Sequence, residues 1–441
     1  MTTLRRQYGP GVGDQSRPGR PRAGVVVTGS ELLTGAVRDA NGPWVARELF
    51  ELGFEVVRVE IVGDRPEDLT AALRHAADFA LVVTSGGLGP TADDLTAEIV
   101  AGFVGVPMEL DEPMRDLIHR RVARWAQRTG FGGPALDEAT RKQAMVPRGA
   151  TALKPVGTAP GLVVRQPGGP LVVVLPGPPR ELQGMWPAVL EAEPVRALLA
   201  DVPRAEPRSL RFFGLPESEI AQTLREIGRA RDLSAVEVTT CLRRSELEVD
   251  LRPLPGAEEL ADEVAEEIVE RHRANLLSAE GATTDELLAT ILPAKGLTVA
   301  TGESCTGGML ASRLVDRAGS SAYVAGGVVA YSNEAKTALL GVPAEMIAEH
   351  GAVSPEVARA LADGARERFG AAIGVGVTGV AGPGGGTEAK PVGYVCFCVT
   401  TADGRVLTRD PVLPGSRGDI RERSTDTAMH LILRAAGGLP R

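Results

Sequence analysis

The 441-residue chain has only four cysteines, at positions 241, 305, 396 and 398, and their spacing makes neither a metal-ligand pattern nor a disulfide framework. Reduced thiols in a cytoplasmic setting are expected. Cys396 and Cys398 alternate within "YVCFCV", so they would share one face of a strand as small core residues. There are five histidines, at 75, 119, 272, 350 and 430. None stands in a motif-like setting, which makes a Ser-His-Asp triad unattractive. No apolar run approaches a membrane span, and the first residues lack the apolar middle of a signal peptide. Basic charge is also short: 48 Lys and Arg against 57 Asp and Glu give a formal net charge of −9. That balance argues against general nucleic-acid or anionic-membrane binding. No short-period repeat is visible.

What is present is a soluble globular composition, 43% hydrophobic and 24% charged, in a chain long enough for two or three domains. Residues 1–23, rich in Arg, Gly and Pro, read as a disordered tail. From Gly24 to about 198, strands such as "AGVVV", "FEVVRVEIV" and "FALVVT" alternate with helices. That alternation predicts βαβ crossovers and a mostly parallel sheet. Between 199 and 278 the texture changes to a strand, a hairpin and one acidic amphipathic helix, a small α+β module. Residues 280–441 return to α/β, with Ser354 and Pro355 marking one helix start. The whole is an α/β protein of three parts.

Three glycine-rich segments follow strands. "SGGLGPTADDLT" (85–96) offers Gly86, Gly87, Gly89 and Thr91 to a phosphate. Asp93 and Asp94 in it would hold a hard divalent cation or merely complement a helix dipole. Glu31 in "TGSELLTG" is an isolated carboxylate, either a ligand contact or a helix-entry charge. "TGESCTGGML" (301–310) puts Ser304 on a strand-to-helix turn, where the following amides of Thr306, Gly307 and Gly308 would face an oxyanion. Serine needs a base, and "AYSNEAK" supplies Tyr331 and Lys336. A desolvated lysine there would serve as the base, and a solvated one would not. Cys305 is read as a packed small residue. "TGVAGPGGGTEAKPVG" (378–393) offers Thr378, Gly379, Gly382, Gly384, Gly385 and Gly386, with Thr387 and Lys390 as donors. Arg417 and Arg421 are read as surface helix charges in preference to phosphate contacts.

The ordered set "GSELLTG", "SGGLGPTADDLT", "GTAPG", "LPGPPREL", "ESCTGG", "GGVVAYSNEAKTALLGV", "HGAVSPEVA" and "TGVAGPGGGTEAKPVG" resembles the CinA family, the competence/damage-inducible proteins, from Gly24 to the C-terminal region. The resemblance implies an N-terminal domain similar to molybdopterin-binding proteins (24–198), a KH-like module (199–278) and a C-terminal amidase domain (280–441). It implies hydrolysis of the carboxamide of nicotinamide mononucleotide, with Ser304 as nucleophile, Tyr331 and Lys336 beside it, and no cofactor. It also implies a possible divalent-metal-dependent ADP-ribose pyrophosphatase at Asp93 and Asp94. Nucleotides are the expected ligands and a homodimer the expected assembly. The rival readings are a pterin- or nucleotide-binding protein without N-terminal turnover, and a competence or DNA-damage interaction protein. The acidic helix and the lack of a "GXXG" clamp weigh against nucleic acid. The chain departs from the family pattern at Gly302, where alanine is expected, and at Lys154, where asparagine is. Gly302 is expected to add local freedom beside the turn, and Lys154 to alter the N-terminal nucleotide pocket.

Overall fold

The computed structural model describes residues 20–129, 134–203 and 206–438; most of the expected tail lies outside them. The chain divides into two compact units, Met1–Ala205 and Glu206–Arg441.

The first unit runs β1 (Arg22–Thr28), α1 (Ser30–Leu33), α2 (Asn41–Glu51), β2 (Glu55–Val62), α3 (Pro66–His75), β3 (Leu81–Ser85), α4 (Thr96–Val104) and β4 (Met108–Leu110). It continues through α5 (Glu112–Thr129), α6 (Pro134–Gln143), β5 (Met145–Pro147), β6 (Thr151–Leu153), β7 (Gly161–Arg165), β8 (Leu171–Leu175), α7 (Pro179–Glu191) and α8 (Glu193–Ala200). Its six-stranded sheet has the order β2-β1-β3-β8-β7-β6. The first four strands are parallel, β7 is antiparallel to β8, and β6 is antiparallel to β7. Both faces are covered, because consecutive residues of a strand point to opposite sides. Val25, Val83 and Val173 pack with Leu49 and Trp186, whereas Val26, Val82 and Val172 pack with Leu73 and Val100. The mostly parallel sheet expected from the sequence is present.

The second unit opens with β9 (Arg208–Phe213), α9 (Glu217–Ala230), β10 (Val236–Arg243), β11 (Glu246–Pro253), α10 (Glu258–Arg271) and β12 (Leu276–Ser278). They form an antiparallel sheet of order β10-β11-β9-β12. Helix α9 was not foreseen. Its buried residues Ile220, Thr223 and Ile227 recur at helical spacing, but charged neighbours dilute that stripe.

The rest is α11 (Thr284–Ala294), β13 (Val299–Glu303), α12 (Met309–Val315), β14 (Val324–Val329), α13 (Asn333–Leu340) and α14 (Ala344–His350). Then come α15 (Pro355–Phe369), β15 (Ile373–Gly379), β16 (Val395–Thr401), β17 (Val406–Arg409) and α16 (Arg417–Ala435). The sheet order is β14-β13-β15-β16-β17, with the first three strands parallel and the last two antiparallel. Ser354 caps α15 as its sequence suggested, accepting the Val357 amide at 3.3 Å. Cys396 and Cys398 share a buried face of β16 that packs against Ala358 and Ala362 of α15. Among the described residues no helix is long and apolar enough to cross a membrane.

Candidate functional site

Parallel strands gather their carboxyl ends at one edge, where open α/β sheets bind ligands. In the second unit, β13 is flanked by β14 and β15, with Glu303 opposite Val329 and Val377. Ser304 therefore leaves the middle of the edge, Tyr331 follows the end of β14, and Thr378 lies at the end of β15. The Ser304 amide donates to the Val377 carbonyl at 2.9 Å, and the Ala330 amide donates to that of Glu303 at 2.8 Å. The backbone at Glu303 and Ser304 is thus anchored from both sides, and Ser304 is 8% exposed.

The turn after it is built around a residue to which the sequence reading gave no role. Glu303 is 1% exposed, and its carboxylate accepts the amides of Gly308 (2.9 Å), Leu310 (3.1 Å) and Ala311 (2.8 Å). A helix N-terminus is an anion site, and at α12 the protein fills it with its own carboxylate. The Gly307 amide in turn closes onto the Ser304 carbonyl at 3.1 Å. Gly307 and Gly308, at φ 61° and 92°, consequently shape the turn, and their amides are not free for an oxyanion. Thr306 is fully buried.

Arg417, exposed as the surface reading expected, and Arg421, half-buried, both reach this edge. Ser416 and Asp419 form a capping box that starts α16 there, and the two arginines fall four residues apart on one helix face. Arg421 donates to the carbonyls of Cys305 (3.1 Å) and Thr306 (2.9 Å). Arg417 donates to the Tyr331 hydroxyl (3.1 Å) and the Gly382 carbonyl (2.8 Å), joining the tyrosine to the glycine-rich loop.

Lys336 is 2% exposed, and its Nζ donates to the Tyr331 carbonyl at 3.1 Å. Burial pushes its ammonium pKa down from the ordinary lysine value. Cys305, 5% exposed, has its thiol pushed up to about 12 by burial, so it stays protonated and packed. Tyr331 is 60% exposed. In the loop, the Thr378 hydroxyl donates to the Ala352 carbonyl at 2.8 Å, and Lys390 Nζ donates to that of His350 at 2.7 Å. The Thr387 hydroxyl accepts the Lys390 amide at 3.0 Å. Lys390 and Thr378 thus tie the loop down, and Gly384, Gly385, Gly386 and Thr387 stand exposed, with Gly379 half-buried behind them.

The departure at Gly302 has a packing cause. A methyl there would lie 2.7 Å from the Leu361 carbonyl oxygen and 2.9 Å from Leu340. The glycine lets α15 approach β13. Lys154 is exposed just after β6.

In the first unit, the loop after β3 carries Gly86, Gly87, Gly89 and Thr91. The Thr91 hydroxyl donates to both Asp93 and Asp94, and its amide to Asp94 at 2.9 Å. The Thr91 hydroxyl bond holds the Asp93 carboxyl below the usual range. Asp93 faces a cleft with Thr28, Asp64 and Gly87, and Asp94 faces another with Lys142 and Gln143. Glu31 is exposed on α1 and lines neither. Asn41, the first residue of α2, donates to Ser85 Oγ (2.9 Å) and the Gly177 carbonyl (2.6 Å), tying two strand-end loops together. Among the described residues no three His, Cys, Asp or Glu gather as metal ligands. The two carboxylates line different clefts but meet at the Thr91 hydroxyl, a donor set that would suit a cation shared with a bound phosphate and water and not a closed protein cage.

Two family models match the chain: the CinA C-terminal domain over residues 281–436, and a probable molybdopterin binding domain over residues 24–195. A CinA-like protein of Mycobacterium sp. (strain MCS) is 55% identical over 423 residues, 94% of this chain and 98% of that protein. One from Mycobacterium tuberculosis (strain ATCC 25177 / H37Ra) is 51% identical over 426 residues, covering 95% and 98%. The crystal structure of competence/damage inducible protein CihA from Agrobacterium tumefaciens is 41% identical and covers 35% of this chain and 95% of its own, with a TM-score of 0.34. On identity above half along nearly the full length of both chains, this chain belongs to the CinA family.

Proposed function

We propose that the C-terminal site hydrolyses the carboxamide of nicotinamide mononucleotide, giving nicotinate mononucleotide and ammonia in a cytoplasmic setting. The observation that carries the reading is Lys336: a buried lysine with a lowered pKa, bonded to Tyr331, which follows the strand beside Ser304. A neutral amine can take the serine proton, which a solvated ammonium cannot. Ser304 Oγ attacks the amide carbon while Lys336 accepts its proton. The tetrahedral intermediate then collapses as Lys336 returns that proton to the departing nitrogen, and ammonia leaves. Water attacks the resulting ester with the same proton traffic and frees the acid and the serine. The Tyr331 hydroxyl accepts from Arg417 and so keeps its own proton to offer the oxyanion. Arg417 and Arg421 supply positive charge for the nucleotide phosphate. Incubating the purified chain with nicotinamide mononucleotide and quantifying ammonia tests the reading; no ammonia above the protein-free control would refute it.

We further propose ADP-ribose as a substrate of the first unit. Asp93 and Asp94, linked through one threonine hydroxyl, would hold a divalent cation together with the ligand's phosphates. Such a cation supplies charge neutralisation as a phosphoanhydride breaks. The chain's own part is to present the loop of Gly86, Gly87, Gly89 and Thr91 to those phosphates, with Glu31 outside the two clefts.

A further inference from the structure

The hairpin of the small module turns through two residues, Arg244 and Ser245, since Arg243 pairs with Glu246. Both have positive φ, 49° and 59°, and they are the only non-glycine residues so placed among those described. A two-residue turn of that kind ordinarily takes Asn-Gly. A turn that breaks the local rule is held by its surroundings, and here both side chains reach the neighbouring domain. Ser245 Oγ donates to Asp426 Oδ2 on α16 at 2.8 Å, and Arg244 lies 3.6 Å from Asp285 on α11.

Those two aspartates are the partners of one buried arginine. Arg313 on α12, 9% exposed, grips Asp285 with two bonds (2.9 and 2.7 Å) and donates to Asp426 at 2.5 Å. The turn thus closes a cluster joining α11, α12 and α16. Helix α12 grows out of the Ser304 turn, and α16 carries Arg417 and Arg421. We propose that Arg244 and Ser245 form a latch by which the small module positions the helices of the C-terminal site. Ser245, Asp426 and Arg313 act in it as positioning residues. The catalytic part of the proposal rests on the amidase reading; the mechanical part does not.

The latch can be broken without unseating the module. Phe213 of β9 stacks on His430 of α16 with ring centroids 3.8 Å apart, and Arg211 donates to the Gly281 carbonyl at 2.5 Å. In the full-length chain, R244N/S245G installs the preferred turn and removes both reaching side chains, so the hairpin itself is retained. S245N tolerates the same backbone and restores a donor to Asp426.

Hydrogen exchange of peptides covering 304–315 and 417–426 is measured alongside turnover of nicotinamide mononucleotide. The double variant should exchange faster in both segments, with α10 and β15 unchanged. Its kcat/KM should fall about threefold to thirtyfold, the range of coupling through a packed network, with S245N close to wild type. Unchanged exchange in α12 and α16 overturns the latch. Faster exchange with unaltered kinetics overturns its link to the site. Should the wild-type chain release no ammonia, the amidase reading fails, and exchange at 304–308 decides the latch by itself. If the double variant does not fold, S245G alone carries the same comparison.

Discussion

The chemistry proposed at the C-terminal edge turns on the protonation of one side chain. Lys336 has its folded-state pKa lowered by burial, so its neutral fraction grows as pH rises through that lowered value. Amidase turnover should climb over the same window and then level. Stability follows the same sign: between the lowered pKa and the ordinary one, the unfolded chain binds more protons, so raising pH stabilises the fold. Lys336→Arg keeps a positive charge that does not dissociate near neutral pH. It should lose turnover by about two orders of magnitude or more, as removal of a general base does, while circular dichroism still reports a folded chain. Near wild-type turnover would leave Lys336 as a packing or binding residue. The placement of Ser304 and Tyr331 just beyond neighbouring strands, with Lys336 bonded to Tyr331, was legible because each sits in a short motif after an apolar strand. Glu303 stood inside the same motif but gave no signal of its own. Its role is to accept amides from residues five to eight positions on, which depends on the helix direction after the turn. Arg417 lies 86 positions from Tyr331 and Arg421 lies 116 from Cys305, distances that no local pattern spans. The capping box at Ser416 was the one available hint.

At the level of elements, the central strands are close-packed under α15. Strands β13 and β15 place glycine where the helix backbone lies against them, at Gly302 and Gly376. The family resemblance leads one to expect alanine at 302, yet the added methyl would press on the Leu361 carbonyl at 2.7 Å. Gly302→Ala should therefore destabilise the second unit by about 1–3 kcal/mol, the usual effect of overpacking. That corresponds to a Tm lower by roughly 2–4 °C per kcal/mol in a unit of this size, measurable by calorimetry. An unchanged or raised Tm would show that α15 gives way freely. The elements themselves were largely legible from alternation of strands and helices. Helix α9 was not, because its apolar stripe is narrow and charge-rich, and its partner surface is the antiparallel sheet built from strands on either side of it in sequence.

On the scale of the whole molecule, two sets of strand ends lie in separately folded units, and the two proposed activities should be separable. Asp93→Ala with Asp94→Ala removes both carboxylates beside Thr91, in the first unit. ADP-ribose hydrolysis should disappear in that variant and in excess chelator, with ammonia release from nicotinamide mononucleotide retained. Hydrolysis that persists in chelator would remove the cation from the account. The ordering of motifs along 441 residues made the joining of a molybdopterin-binding-like domain to a CinA C-terminal domain legible. The joining of the small module to the C-terminal domain through Arg244, Ser245 and Arg313 was not, since it depends on three segments meeting in space. The measurement that bears most directly on the central claim is the rate of ammonia release by Ser304→Ala beside Cys305→Ala. Loss of the nucleophile should lower kcat by about 10³-fold or more, whereas Cys305→Ala should stay within a few-fold of wild type. An active Ser304→Ala, or a dead but folded Cys305→Ala, would contradict the assignment of the serine.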